Sequence, residues 1–257
     1  MENAQKDKIF NAYIKDKIEI CLRRDVMSSS YFLDERQQTV AERCLKKEKF
    51  SRYGFFGGFS DAQRKMLILL PADISIENAI EREEVPISYL KVAYGVADKI
   101  THRDILGSMI GAGIRRESIG DILIFEGFCE IIVERSVVSY LLSNFERVGR
   151  YRCSGVTEIA QDDILIPREN TKIIKDTIAS PRLDAVLSSA FSMSREKAAA
   201  LVKSGRVAIN HFECEKPDKQ VACGDVISAR GFGKIELSSI GGRTKKGRAV
   251  IEIKKFV

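Results

Sequence analysis

Between Arg182 and Arg206, five cations (Arg182, Arg195, Lys197, Lys203 and Arg206) are interleaved with two apolar stripes. Leu183, Val186, Leu187 and Ala190 recur at helical spacing, and Ala198, Leu201 and Val202 repeat the pattern further on. Ser194 stands where it can cap the second helix. Gly205 can close that helix in a left-handed conformation ahead of a strand at Val207-Ala208-Ile209. With the apolar stripes turned toward a core, the cations gather on the outer surface of a helix pair. Such a surface attracts phosphate, because each phosphate neutralised by Lys or Arg releases condensed counterions. The chemistry to expect here is anion recognition, not bond making.

The cations continue downstream with Arg230 and Lys234, then Arg243, Lys245, Lys246 and Arg248 in a glycine-bounded run from Gly241 to Arg248. Strands are expected on either side of that run, at 234–240 and 249–255, so the charge sits at a hairpin tip. A solvated turn needs no such charge density, and phosphate contact accounts for it. From Ala179 to Val257 there are 15 Lys and Arg against 8 Asp and Glu, a net +7, whereas the whole chain carries +6. The rest of the chain is therefore slightly acidic, and the asymmetry points to nucleic acid as the partner of the C-terminal third.

Other chemistries find little support. The six cysteines, Cys21, Cys44, Cys129, Cys153, Cys214 and Cys223, form no Cys-x-x-Cys pair, as expected of reduced thiols in a cytosolic protein. His102 and His211 are the only imidazoles, so no metal site is expected. There is no P-loop and no G-x-G-x-x-G between a strand and a helix, so no cofactor and no small-molecule substrate are expected. Asp104 and Asp121 are candidate catalytic acids only if the chain modifies RNA, and neither has a nucleophile–base partner. No apolar run reaches the ~18 residues of a membrane-spanning helix, and the polar start MENAQKDKIF has no secretory h-region. A cytoplasmic location without membrane contact is the expectation.

The elements that position these residues read as an α+β chain in three parts joined by one linker. A helical N-terminal domain is expected over 1–73, with an apolar stripe at Ile9, Tyr13, Ile14, Ile18 and Leu22 and a second helix capped by Asp34. It closes on an extended element, the apolar run Met66–Leu70, which follows the aromatic and glycine-rich loop Arg52–Phe59, where Phe55, Phe56 and Phe59 either stack on a ligand or fill a small core. Over 74–160 the order is strand 87–94, helix 101–113, strands 122–125 and 128–133, helix 136–147 and a last strand at 150–153. That is the βαββαβ order of ferredoxin-like, RNA-recognition-type domains. Phe128 is the only aromatic on its third strand, with Ile132 where a second would stand, so base stacking there is doubtful. A second RNA contact is conceivable at His102 and Arg103, which open a helix, and at Arg115 and Arg116 in a glycine-rich turn. A purely structural or solvated role serves these four equally well. Residues 161–178 read as a linker and 179–257 as the basic domain with an extra hairpin.

These residues carry two resemblances. Arg182-Leu183-Asp184, Ser194-Arg195 with Ala198, Gly205 with Val207 and Asn210, Gly224-Asp225 and Arg230-Gly231 resemble the S-four module, an αL-type RNA-binding domain. Across nearly the whole length the chain resembles the YlmH family of bacterial proteins. That likeness is carried by Phe56-Gly57-Gly58-Phe59 with Arg64-Lys65, His102 to Gly107, Arg115-Arg116-Glu117, Ile119-Gly120-Asp121 and the C-terminal module. The resemblance implies a non-catalytic protein that binds ribosomal RNA and tRNA on the large ribosomal subunit. It further implies a part in ribosome quality control and the rescue of stalled translation, with Arg182 and Arg195 as the foremost RNA contacts. An RNA-modifying enzyme that uses the module as a substrate clamp, and an accessory factor in cell division, are the alternatives.

Overall fold

Asp34 starts its helix as its position demands. Asp34 Oδ1 accepts from the Gln37 amide at 2.8 Å, and Gln37 Oε1 accepts from the Asp34 amide at 2.9 Å, a reciprocal cap. The computed structural model describes residues 2–167 and 170–256, which fall into two compact units, Met1–Pro167 and Arg168–Val257. The class is α+β, as expected.

The first unit runs α1 (Glu2–Arg24), β1 (Ser28–Leu33), α2 (Glu35–Lys47), β2 (Tyr53–Phe56), β3 (Lys65–Leu69) and α3 (Ile76–Glu81). It continues with β4 (Ile87–Ala93), α4 (His102–Gly111), β5 (Ile119–Phe125), β6 (Phe128–Glu134), α5 (Val138–Asn144), a small hairpin β7 (Arg147–Val148) and β8 (Tyr151–Arg152), and β9 (Gly155–Ile159). The N-terminal segment is less helical than the sequence suggests, because β1, β3 and β2 pair in that order into an antiparallel sheet. The face of α1 that is buried is Phe10, Ile14, Ile18 and Cys21, while Ile9 and Leu22 are exposed. Tyr13 fixes that rotation: its ring stacks on Tyr31 at 4.9 Å and its hydroxyl oxygen accepts from the Tyr31 amide.

The middle strands form one antiparallel sheet in the order β5-β6-β4-β9, the ferredoxin-like arrangement. Its fourth strand is Gly155–Ile159 and not 150–153. Residues 147–152 instead fold back on themselves through Gly149, whose φ of +57° suits a tight turn. One face of this sheet packs Leu90, Val92 and Ile131 against Ile105 and Met109 of α4 and Val138 and Leu141 of α5. The other face packs Tyr89, Leu123 and Ile132 against Phe32, Met66 and Ile68 of the N-terminal sheet. The two sheets thus share a core. Gly58 permits the approach of the aromatic-glycine loop: its φ is +99°, and a Cβ there would lie 2.8 Å from the Tyr89 ring. Phe56 and Phe59 pack against that core, so the structural role of the loop is the one the geometry shows.

The second unit runs β10 (Thr171–Ile178), α6 (Leu183–Phe191), α7 (Arg195–Lys203), β11 (Val207–Ile209), β12 (Phe212–Glu213), β13 (Val226–Ala229), β14 (Gly233–Arg243) and β15 (Ala249–Phe256). Six strands pair antiparallel in the order β10-β15-β14-β13-β11-β12. Where the sequence reads as linker, 171–178 is an edge strand paired along its whole length with β15. The core joins Leu183, Val186, Leu187, Ala198 and Val202 of the helix pair to Ile235, Leu237, Ile251 and Ile253 of the sheet. At roughly 1.5–3 kcal/mol per fully buried aliphatic side chain, this core is what anchors the outward cations.

Candidate nucleic-acid interface

The expected helix ends are both in place. Ser194 Oγ accepts from the Lys197 amide at 3.2 Å, and Gly205, at φ +68°, follows the C-cap Ser204. The Ser194 cap sets Arg195 at the first position of α7, and Arg182 is itself the N-cap residue of α6.

One carboxylate joins the two arginines. Asp184 Oδ1 accepts from Arg195 Nη2 at 2.7 Å and from Arg182 Nε at 3.2 Å, and Asp184 Oδ2 accepts from Arg182 Nη2 at 3.1 Å. The Asp184 side chain is 8% exposed, against 37% for Arg182 and 51% for Arg195. Burial pushes the Asp184 carboxyl up, but hydrogen bonds from Arg182 and then Arg195 outweigh it and hold it below the usual carboxylate range. The three groups keep a net charge of +1. A guanidinium has five N–H donors, so each arginine retains outward donors while Asp184 fixes its plane. Two like charges are thereby held side by side at the head of the helix pair, an arrangement that can take up phosphate oxygens.

The remaining cations form two further groups and one outlier. Arg206 Nη2 donates to the Arg230 carbonyl at 2.9 Å and the Arg230 amide to the Arg206 carbonyl at 2.9 Å, so these arginines share one exposed loop edge. Lys197 lies near it, its ammonium 5.9 Å from the Phe232 ring centroid, and Lys203 is exposed at the end of α7. Arg243, Lys245 and Lys246 are exposed around the β14–β15 turn, whose tip is closed by the Gly247 amide on the Thr244 carbonyl. Arg248 turns back onto β10: its Nε donates to Thr177 Oγ1 at 3.1 Å and its Nη2 to the Thr177 carbonyl. Lys234 is set apart. It alternates with the core residue Ile235 and lies over the Phe256 ring, on the sheet face opposite α6 and α7.

In the first unit, Arg103 and Arg115 are exposed, but Arg116 turns inward. Arg116 Nη1 donates to the Ile119 carbonyl at 2.7 Å, and burial, then the nearby Arg64 charge, lowers its pKa to about 10. Partial burial, then the Arg116 charge, also lowers the pKa of His102. Asp121 accepts from the amides of Gln63 at 2.6 Å and Arg64 at 3.1 Å. Asp104 is taken up by the Thr101 cap, accepting from its amide at 2.9 Å. The sheet face on which RNA-recognition modules stack bases is largely covered, with Tyr89 and Ile132 buried beneath the N-terminal sheet. Phe125 and Phe128, stacked at 4.9 Å with Lys91 Nζ 4.0 Å above Phe128, keep partial exposure there. Among the described residues, no group of three or more His, Cys, Asp or Glu side chains is disposed to hold a metal ion, and no helix is long and apolar enough to cross a membrane.

Asp184 is the residue the charge pattern overlooks. An acid among Leu183, Val186 and Leu187, two residues after an arginine, is the signal that points to it.

Two family models match the chain. Residues 81–162 match a model described as "Putative RNA-binding domain in YlmH", and residues 181–227 match the S4 domain. The chain is 34% identical over 225 residues to the ribosome-associated protein quality control protein P2 of Bacillus subtilis (strain 168), covering 86% of this chain and 84% of that protein. The chain belongs to the YlmH family. A solved structure, cell division protein ylmH from Streptococcus pneumoniae, shares the fold of part of it: TM-score 0.51, 20% identity, 62% of this chain and 93% of that one. The S4 match contains the Arg182–Asp184–Arg195 cluster and the Ser194 cap. Strand β10 and the basic β14–β15 hairpin of this YlmH-family chain lie outside it.

Proposed function

We propose that this chain is a non-catalytic, ribosome-associated RNA-binding protein that grips structured ribosomal RNA on the large subunit, and tRNA beside it, during the rescue of stalled translation. The observation that carries the proposal is Asp184 holding Arg182 and Arg195 as an oriented pair. Preorganised guanidinium groups lose less rotamer freedom on binding than free ones, which favours a structured, phosphate-lined partner. The B. subtilis relative, named for ribosome-associated quality control, supports the ribosome as the place where that partner is met. The Arg206–Arg230 edge and the hairpin tip extend the contact; Arg103 and Arg115 in the first unit offer a second one. An RNA-modifying role fits the geometry less well, since Asp104 and Asp121 are both held by backbone amides.

The test is co-sedimentation of the full chain with large ribosomal subunits at moderate salt. Arg182→Ala and Arg195→Ala are expected to release it, with circular dichroism confirming that both variants fold. Undiminished co-sedimentation of the folded double variant overturns the assignment.

A further inference from the structure

Beside the arginine pair lies a cleft that none of the sequence motifs contains as a whole. It is an open hollow of about 330 Å³ between the C-terminal half of α6, strand β10 and the root of the β14–β15 hairpin. Arg195 of α7 and Arg248 of the hairpin root both line it. Arg248 is kept there by its two hydrogen bonds to Thr177, which leave further N–H donors on its guanidinium. Three serines line the α6 side. Ser189 Oγ donates to Asp176 Oδ2 at 2.6 Å and Ser188 Oγ to the Met193 carbonyl at 2.6 Å, so both hydroxyl oxygens remain as acceptors. Ser192, the left-handed C-cap of α6 at φ +50°, forms the exposed rim. Asp176, the one acid in the lining, also accepts from the Thr177 amide at 2.7 Å, so its oxygens are turned to protein donors.

Two guanidinium groups lining one hollow with hydroxyl acceptors match a phosphodiester and the sugar attached to it: cationic donors for the phosphate oxygens, acceptors for a ribose hydroxyl. The volume is at the lower end of the range for ligand sites, about right for one nucleotide backbone unit and not for a folded peptide. We propose that this cleft receives one phosphate and its ribose from an RNA strand, clamped between Arg195 and Arg248, so that the strand continues from the arginine pair to the hairpin tip. The inference rests on the RNA-binding reading above and gives the hairpin, outside the S4 match, a defined task.

The test places a charge in the cleft without touching either arginine. Ser192→Asp adds a carboxylate at the rim, and Ser192→Asn is its neutral counterpart; both residue types tolerate a left-handed backbone. Binding of the full chain to purified large-subunit ribosomal RNA is measured as a function of KCl. Ser192→Asp is expected to bind about fivefold more weakly than Ser192→Asn, with a log–log salt slope shallower by about one. Equal binding by both variants, while Arg182→Ala and Arg195→Ala still release the RNA, refutes the cleft and leaves the broader function intact. If the unsubstituted chain itself binds no RNA, both fall. A second arm adds millimolar inorganic phosphate alone and follows the Ser189 and Ser192 amide resonances. Weak, non-saturating shifts are expected, whereas saturation by free phosphate with no response to RNA overturns the RNA assignment.

Discussion

Asp184 accepts a hydrogen bond from Arg195 at 2.7 Å across the turn between α6 and α7, while its other oxygen takes the guanidinium of Arg182. The acid is nearly buried and the arginines are not. Replacing Asp184 with Asn removes the charge that reconciles two neighbouring cations. Both partners are partly exposed, so solvent screening reduces the effect; a loss of about 1–2 kcal/mol in urea unfolding is expected. RNA affinity is expected to fall as well, although the net positive charge rises by one. Tighter RNA binding by Asp184→Asn would show that charge alone, without orientation, governs the surface.

The same pair gives a pH dependence. Hydrogen bonds from Arg182 and Arg195, set against burial, depress the folded-state pKa of Asp184. A depressed carboxylate contributes stability that is fully present above its unfolded value of about 3.9 and is lost as pH falls through the folded value. The stability difference between the unsubstituted chain and Asp184→Asn is therefore expected to be constant from neutral pH to about pH 5 and to shrink below about pH 4. Urea titrations at several acidic pH values check this; a difference that grows on acidification contradicts it.

Arg195→Lys separates charge from geometry. An ammonium keeps the counterion-release term but cannot bridge Asp184 and two phosphate oxygens at once. The salt slope of RNA binding is expected to stay near that of the unsubstituted chain while affinity drops. For Arg195→Ala the slope itself is expected to fall by about one. Filter binding across a range of KCl concentrations measures both quantities.

Thiol labelling reports on the first unit. Burial pushes the Cys129 pKa up to about 12, and Cys21 and Cys44 are also buried, whereas Cys223 is exposed. Iodoacetamide at pH 8 is expected to modify Cys223 rapidly in the native chain and to leave Cys129 untouched until the chain unfolds. Fast native labelling of Cys129, read by mass spectrometry, would contradict the sheet packing described for β6.

Gly58→Ala probes the shared core of the two sheets in that unit. The residue sits at φ +99°, and the added Cβ would come within 2.8 Å of Tyr89. A loss of about 1–3 kcal/mol from backbone strain alone is expected, visible in urea unfolding. RNA binding through the second unit should be unaffected.

The cations themselves were legible in the sequence, as were the caps Asp34 and Ser194 and the helical spacing of α6 and α7, because those are local signals. Their partnerships were not. Arg195 meets Asp184 only after a turn reverses the chain, and Arg248 meets Thr177 across seventy-one positions. Strand β10 escaped because an edge strand needs little apolar character: Ile173 stays exposed, and its pairing partner β15 is distant in the chain. The last strand of the middle sheet was displaced by a hairpin at Gly149 whose residues alternate much as the true strand does. Strand β3 was announced by the apolar run Met66–Leu70, but β1 and β2 were hidden for another reason. Their inward residues are matched to a second sheet, and that packing is a tertiary fact.

The central claim is that the Arg182–Arg195 edge of the second unit is the surface that meets ribosomal RNA. A cryo-electron microscopy map of the full chain bound to native large subunits tests it most directly. The expected map places α6 and α7 against ribosomal RNA, with density joining Arg182 and Arg195 to phosphates. A map in which that edge faces solvent while another surface holds the ribosome would contradict the claim.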